Sequence, residues 1–183
     1  MKKIFLILTI LGLVSFSACT GPQGPPGYPG PPGQDGIDGS NGVESEVFEL
    51  LNVNFQFDSK DGYTIYQTLD PNIFDSDNIL IYRMSDLIDS NTPIWQLIPR
   101  TLFLPQGELD YDYDFSKEDF KIYAGGTYNL ALTPAYLTNQ TFRIVIIPGY
   151  FSNKKQGVDF NDYNAVIKAY GLDDTHPKIL NKK

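Results

Sequence analysis

A single cysteine in 183 residues rules out any disulfide within the chain. A single histidine, His176, rules out the His-Glu-x-x-His zinc pattern, which needs two, and no Gly-x-x-x-x-Gly-Lys phosphate loop occurs either. Basic residues are scarce: 14 Lys and Arg stand against 22 Asp and Glu, a formal charge of −8. Such a chain repels nucleic acid and anionic head groups, so neither is expected as a partner. Long apolar runs are missing as well. The leading run, Ile4 to Val14, has 11 residues, whereas a membrane-spanning helix needs roughly 20.

The first residues have a layout of their own. Met1-Lys2-Lys3 is followed by the short apolar run and then by the small residues Ser15, Ser17 and Ala18 before Cys19. Basic start, apolar middle and small-residue cleavage site are the three parts of a secretory signal, predicted over residues 1–18. Cleavage there would leave Cys19 as the new N-terminus, and losing Lys2 and Lys3 would take the formal charge from −8 to −10. A lone cysteine in an exported protein needs a purpose. Phe16-Ser17-Ala18-Cys19 resembles the lipobox of bacterial lipoproteins. The resemblance implies a multiply acylated Cys19, and more than one fatty chain is what stable anchoring requires.

Glycine then recurs at every third position, as Gly21, Gly24, Gly27, Gly30, Gly33, Gly36, Gly39 and Gly42, framing the triplets GPQ, GPP, GYP, GPP, GQD, GID and GSN. A flexible linker has no use for this spacing. A triple helix does, because only glycine fits at its axis. The segment resembles the short collagen-like repeats of bacterial surface lipoproteins, and residues 19–42 are read as a lipidated cysteine followed by a collagen-like, polyproline II stalk. Fully extended at ~3.1 Å per residue, seven triplets reach roughly 65 Å.

From Val47 onward short apolar runs alternate with turn residues. Leu51, Val53, Phe55 and Phe57 alternate with Asn52, Asn54 and Gln56, the period of a half-buried strand. Further strands are predicted over 63–69, 79–84, 94–98, 101–104, 109–115, 120–123 and 142–147. Asp58 to Gly62, Asp70-Pro71, Gln106-Gly107, Gly125-Gly126 and Pro148-Gly149 form the turns. The run 79–84 is apolar nearly throughout and suits a central strand. The fold class predicted is mainly β: an antiparallel β-sandwich over 43–152, then one C-terminal α-helix and a polar tail over 153–183. Phe160, Tyr163, Val166, Ile167 and Tyr170 make the apolar stripe of that helix, with Asp159 or Asn161 to cap it and Gly171 to end it. It is expected to close an edge or end of the sandwich.

Candidate chemistry is thin. Asp110, Asp112 and Asp114 share one face of a strand and Tyr111, Tyr113 and Phe115 the other. Carboxylates spaced along a flat strand do not converge on one ion, so a solvated outer face is preferred. Asp75 and Asp77, in the loop Asp75 to Asn78, are the weak calcium candidates, without the glycine or the final glutamate of an EF-hand loop. Trp95, Tyr111 and Tyr113, with Tyr136 and Tyr150, are the weak candidates for a sugar-stacking ligand site, against a core role for most of them. No cofactor is expected and no catalytic motif is present. The expectation is therefore a non-enzymatic lipoprotein of the bacterial envelope, lipid-anchored at the outer membrane or cell surface, presenting an interaction or structural module on a spacer. A carbohydrate-binding or adhesin module is the alternative, and a hydrolase with paired carboxylates a weaker one. The protein or glycan partner is not named by the sequence.

The stalk leads to a test of assembly. Prolines fill its first four triplets and leave the last three, and Asp35 and Asp38 have no Lys or Arg nearby; both features favour a monomeric spacer over a homotrimer wound through the repeat. Sedimentation equilibrium on residues 20–183 should give the same monomer mass with and without Gly30→Ala. A trimer that dissociates on Gly30→Ala would reverse that preference.

Overall fold

The computed structural model describes residues 46–149 and 157–180. The signal segment, Cys19, the Gly-X-Y repeat and Tyr150 lie outside the described residues. Among the described residues, ten strands, two short 3-10 turns and one helix follow in the order β1 Val47–Val53, β2 Gln56–Asp58, β3 Gly62–Thr68, β4 Asn78–Asp89, β5 Thr92–Leu97, β6 Arg100–Leu104, β7 Gly107–Phe115, β8 Asp119–Gly126, η1 Leu130–Leu132, η2 Pro134–Tyr136, β9 Gln140–Ile147, α1 Tyr163–Tyr170 and β10 Lys178–Ile179. They form two five-stranded sheets. The first has the order β10-β1-β9-β4-β5 and the second β2-β3-β8-β7-β6. Every pairing is antiparallel except β1 with β10. This is the β-sandwich with a single helix that the strand pattern predicts.

The main core lies between the sheets. Phe48, Leu50, Ile79, Ile81, Phe142, Ile144 and Ile146 from the first sheet meet Ile65, Leu109, Tyr111, Phe120 and Ile122 from the second. A separate cluster forms on the opposite face of the first sheet, where Val47, Tyr82, Val145 and Ile147 receive Tyr163, Val166 and Tyr170 of α1. β9 and β4 are thus covered on both sides, which is why their sequences are apolar at consecutive positions and not at alternate ones. The molecule has three layers there: sheet, sheet, helix.

Two expectations are corrected. The alternation from Leu51 to Phe57 does not form one strand: Leu51 is 43% exposed and Phe57 69%, while Val53 and Phe55 are buried. The β1–β9 register shifts between Leu50 and Val53, and Asn52 takes a left-handed φ of 52°. An extra residue in a bulge resets the in-out alternation, and asparagine tolerates that conformation. The chain then leaves the first sheet at Asn54-Phe55, held by Phe55 N–H donating to Leu137 O, and enters the second as β2. The β2 edge was invisible in a pattern that continued across the break.

The helix is the second correction. It covers a face of the first sheet, not an edge or end, because that face is apolar and would otherwise meet water. Its cap is Asp162, whose side chain accepts from Ala165 N–H at 3.0 Å. Asp159 instead accepts from Asn161 N–H in the preceding turn, and Phe160 lies before the first helical residue. Gly171 ends the helix as predicted, with a left-handed φ of 65°.

The bulge and the two-sided strand make different demands on mutation. Ile144→Ala, at a fully buried position, should cost about 2–5 kcal/mol. Leu51→Ala should cost within about 0.5 kcal/mol, as an ordinary surface change does. Urea unfolding of the two variants checks this; equal losses would mean that Leu51 faces the core.

Candidate functional site

A largely buried cation, Arg143 on β9, sits among the apolar side chains on the outer face of the first sheet. Register places Glu49 of β1 on one side of it and Tyr82 of β4 on the other. The guanidinium is tied on three sides: Nε donates to Glu49 Oε1 at 2.6 Å, and Nη1 donates to Tyr163 Oη at 2.6 Å and to Asp174 Oδ2 at 3.0 Å. Tyr163 completes the ring by donating its hydroxyl to the same Asp174 oxygen at 2.8 Å. Only 13% of the Arg143 side chain and 12% of Glu49 remain exposed. Burial works against the guanidinium charge, but Glu49 and Tyr163 outweigh it and hold its pKa above the ordinary arginine value. Burial, joined by the bond to Asp174, pushes the Tyr163 hydroxyl up.

Trp95 of β5 leans on this group. The Arg143 guanidinium sits 4.6 Å from its ring centroid, within reach of a cation–π attraction, and the Tyr163 ring lies 5.8 Å away. Beside them opens a cleft of about 670 Å³, within the size range of small-molecule sites. One wall comes from the β4–β5 hairpin and is mainly apolar, Ile88, Pro93, Ile94 and Trp95, with Asn91 and Thr92 of the turn at its end. The other comes from the start of α1 and the segment after it and is polar: Asn161, Asp162, Asn164, Asp174 and Thr175. Ile88 is 72% exposed and Ile94 38%, so the apolar wall faces water.

Of the candidates read from the sequence, Trp95 alone lines this cleft. Tyr111 is buried between the sheets, where its hydroxyl donates to Tyr136 O at 2.8 Å; burial raises its pKa to about 12. Tyr113 points to the same interior and donates to Ile79 O at 2.8 Å. It also lines a second, mostly apolar cleft of about 510 Å³ with Phe115, Phe160 and Tyr170. The three rings therefore do not form one stacking platform. Asp77 is buried and holds its own loop together, accepting from Phe74 N–H at 3.0 Å and Gly149 N–H at 3.1 Å. Asp75 points to solvent with Lys117 Nζ at 3.8 Å. The two do not converge, and among the described residues no three His, Cys, Asp or Glu side chains are placed to hold a metal ion.

The carboxylates of β7 point outward from the second sheet, as alternation requires. Asp114 accepts from Tyr123 Oη at 2.7 Å, and the same face holds Tyr66 donating to Asp119 at 2.7 Å and Lys121 to Asp61 at 2.9 Å. His176 is exposed next to Thr175, whose hydroxyl donates to Asp173 at 2.6 Å. That proton is committed to a carboxylate and not to the imidazole, so the trio is a local turn and not an activated nucleophile.

Glu49, Arg143 and Asp174 were not singled out from the sequence because 94 and 31 residues separate the partners. One signal was present: a lone arginine inside the apolar stretch Phe142 to Ile147 implies a buried charge, and buried charges are paired.

Removing that charge should be costly. Arg143→Met leaves Glu49 and Asp174 facing one another without a cation, and stability should fall by about 3–5 kcal/mol in denaturant unfolding followed by circular dichroism. A loss under 1 kcal/mol would show that the network does not hold the helix to the sheet.

Comparison with known protein families, with curated proteins and with solved structures finds no match for this chain.

Proposed function

We propose that this chain is a lipoprotein of the bacterial envelope, held to the outer membrane or cell surface by lipid on Cys19. The Gly-X-Y segment spaces a non-enzymatic β-sandwich from the membrane, and the sandwich acts as an interaction module whose ligand docks beside Trp95. The cleft between the β4–β5 hairpin and α1 carries the binding part of this reading. It pairs a water-facing apolar wall with a polar one, the usual composition of a recognition site. Support for the anchor comes from the sequence: signal layout, lone cysteine and strict triplets. No helix among the described residues is long and apolar enough to cross a membrane.

A hydrolase with paired carboxylates fits the cleft poorly. Such chemistry needs two carboxyl groups facing across a gap. Glu49 and Asp174 are both bound to Arg143, and Asp162 caps α1. Their roles are taken by structure.

The anchor is tested by Cys19→Ala. With no other thiol in the chain, fatty-acid labelling in cells should disappear, and the protein should leave the membrane fraction. Retained label would overturn the lipoprotein reading.

A further inference from the structure

We propose that the cleft beside Trp95 binds a neutral glycan, an inference that rests on the reading of this cleft as the docking site. The groups lining it narrow the ligand by charge. A polyanion would have to approach Asp162 and Asp174 against the cleft's single cation, Arg143, whose Nε and Nη1 are already bonded within the protein. A cation would meet Arg143 itself, which already takes up the cation–π attraction of Trp95 at 4.6 Å. The like charge so close would oppose it. An uncharged ligand escapes both penalties.

The two walls narrow it further. The mainly apolar wall asks for a surface of C–H groups, and Trp95, Pro93 and Ile94 supply partly exposed apolar surface for it. The facing wall is rich in hydrogen-bond acceptors with some amide donors. Asp162 uses one oxygen to cap α1. Asp174 uses one oxygen, Oδ2, for Arg143 and Tyr163. Asn164 is exposed, and its amide has no hydrogen-bond partner among the described residues. A ring with C–H groups on its face and hydroxyls around its rim satisfies both walls at once. A purely apolar ligand would leave the carboxylates and the Asn164 amide desolvated, at a cost.

The chain's single tryptophan makes the test direct, since all indole emission comes from the cleft. The full chain, purified in a non-glycosidic detergent, is titrated with neutral oligosaccharides of glucose, mannose, galactose and N-acetylglucosamine. A heparin fragment and tetralysine serve as charged probes, each up to about 10 mM to reach the weak end of specific binding. At least one neutral oligosaccharide should shift Trp95 emission saturably and give calorimetric heat, while the charged probes give neither. Asn164→Ala, at an exposed position, should keep the melting temperature and weaken binding about threefold to tenfold, the loss of one hydrogen bond. Trp95→Phe keeps a ring in place and should weaken it while leaving the circular dichroism unchanged. A response to the heparin fragment or tetralysine alone overturns the glycan class and leaves the cleft as the docking site. Neutral-sugar heat that leaves Trp95 emission unmoved and is indifferent to Asn164→Ala overturns the cleft itself. Silence from every probe overturns the glycan assignment.

Discussion

Burial of β9 on both faces is the constraint from which the remaining architecture follows. A strand that contributes Phe142, Ile144 and Ile146 to one core and Val145 and Ile147 to another cannot be served by two sheets alone. Something must cover the second face, and α1 does so with Tyr163, Val166 and Tyr170. The helix is only eight residues long, too short to be stable by itself in water, so it depends on the sheet as much as the sheet depends on it. Tyr82 joins the layers by a hydrogen bond as well, donating to Phe160 O at 2.7 Å.

Within that dry face the Arg143 network acts as a locating device. Apolar contacts alone would let a short helix slide or rotate over the sheet, since they have no direction. Three charge-assisted bonds from one guanidinium to β1, to α1 and to the segment after α1 fix all three relative to β9. The cleft is a by-product of this arrangement. Its polar wall is where the helix and the following segment are pinned, and its apolar wall is the part of the β4–β5 hairpin that runs on past the helix.

The strand content was legible because turn residues and apolar runs alternate so regularly. The interior place of β4 in its sheet was legible too, in the nearly apolar run from Ile79 to Met84. What could not be read was anything set by register or by distant pairing. The bulge at Asn52 turns Val53 inward where simple alternation from Leu50 would turn it out, through a single backbone conformation, and the period-two pattern of the sequence continues past it unchanged. β10 is two residues long and carries no period at all. Trp95 could be named as a ligand candidate, but not separated from Tyr111 and Tyr113, because strands on opposite sides of the molecule look alike in sequence. The wall of Asn161, Asp162, Asn164, Asp174 and Thr175 depends on where α1 lands, which the stripe of apolar residues does not specify.

The placement of β1 has a mechanical consequence. Everything N-terminal to Val47 is attached to this strand, so any tension applied through that end is carried first by β1. It is an interior strand, paired with β9 on one side and with β10 on the other. Glu46 and Lys178 form an ion pair at the same corner, and Leu180 N–H donates to Glu49 O at 2.9 Å. Pulling β1 out therefore means breaking two ladders together, and the segment after the helix works as a latch over the point where load arrives. The grip on β1 comes in part from residues 178–180, so removing them would weaken the domain's hold on its own N-terminal strand.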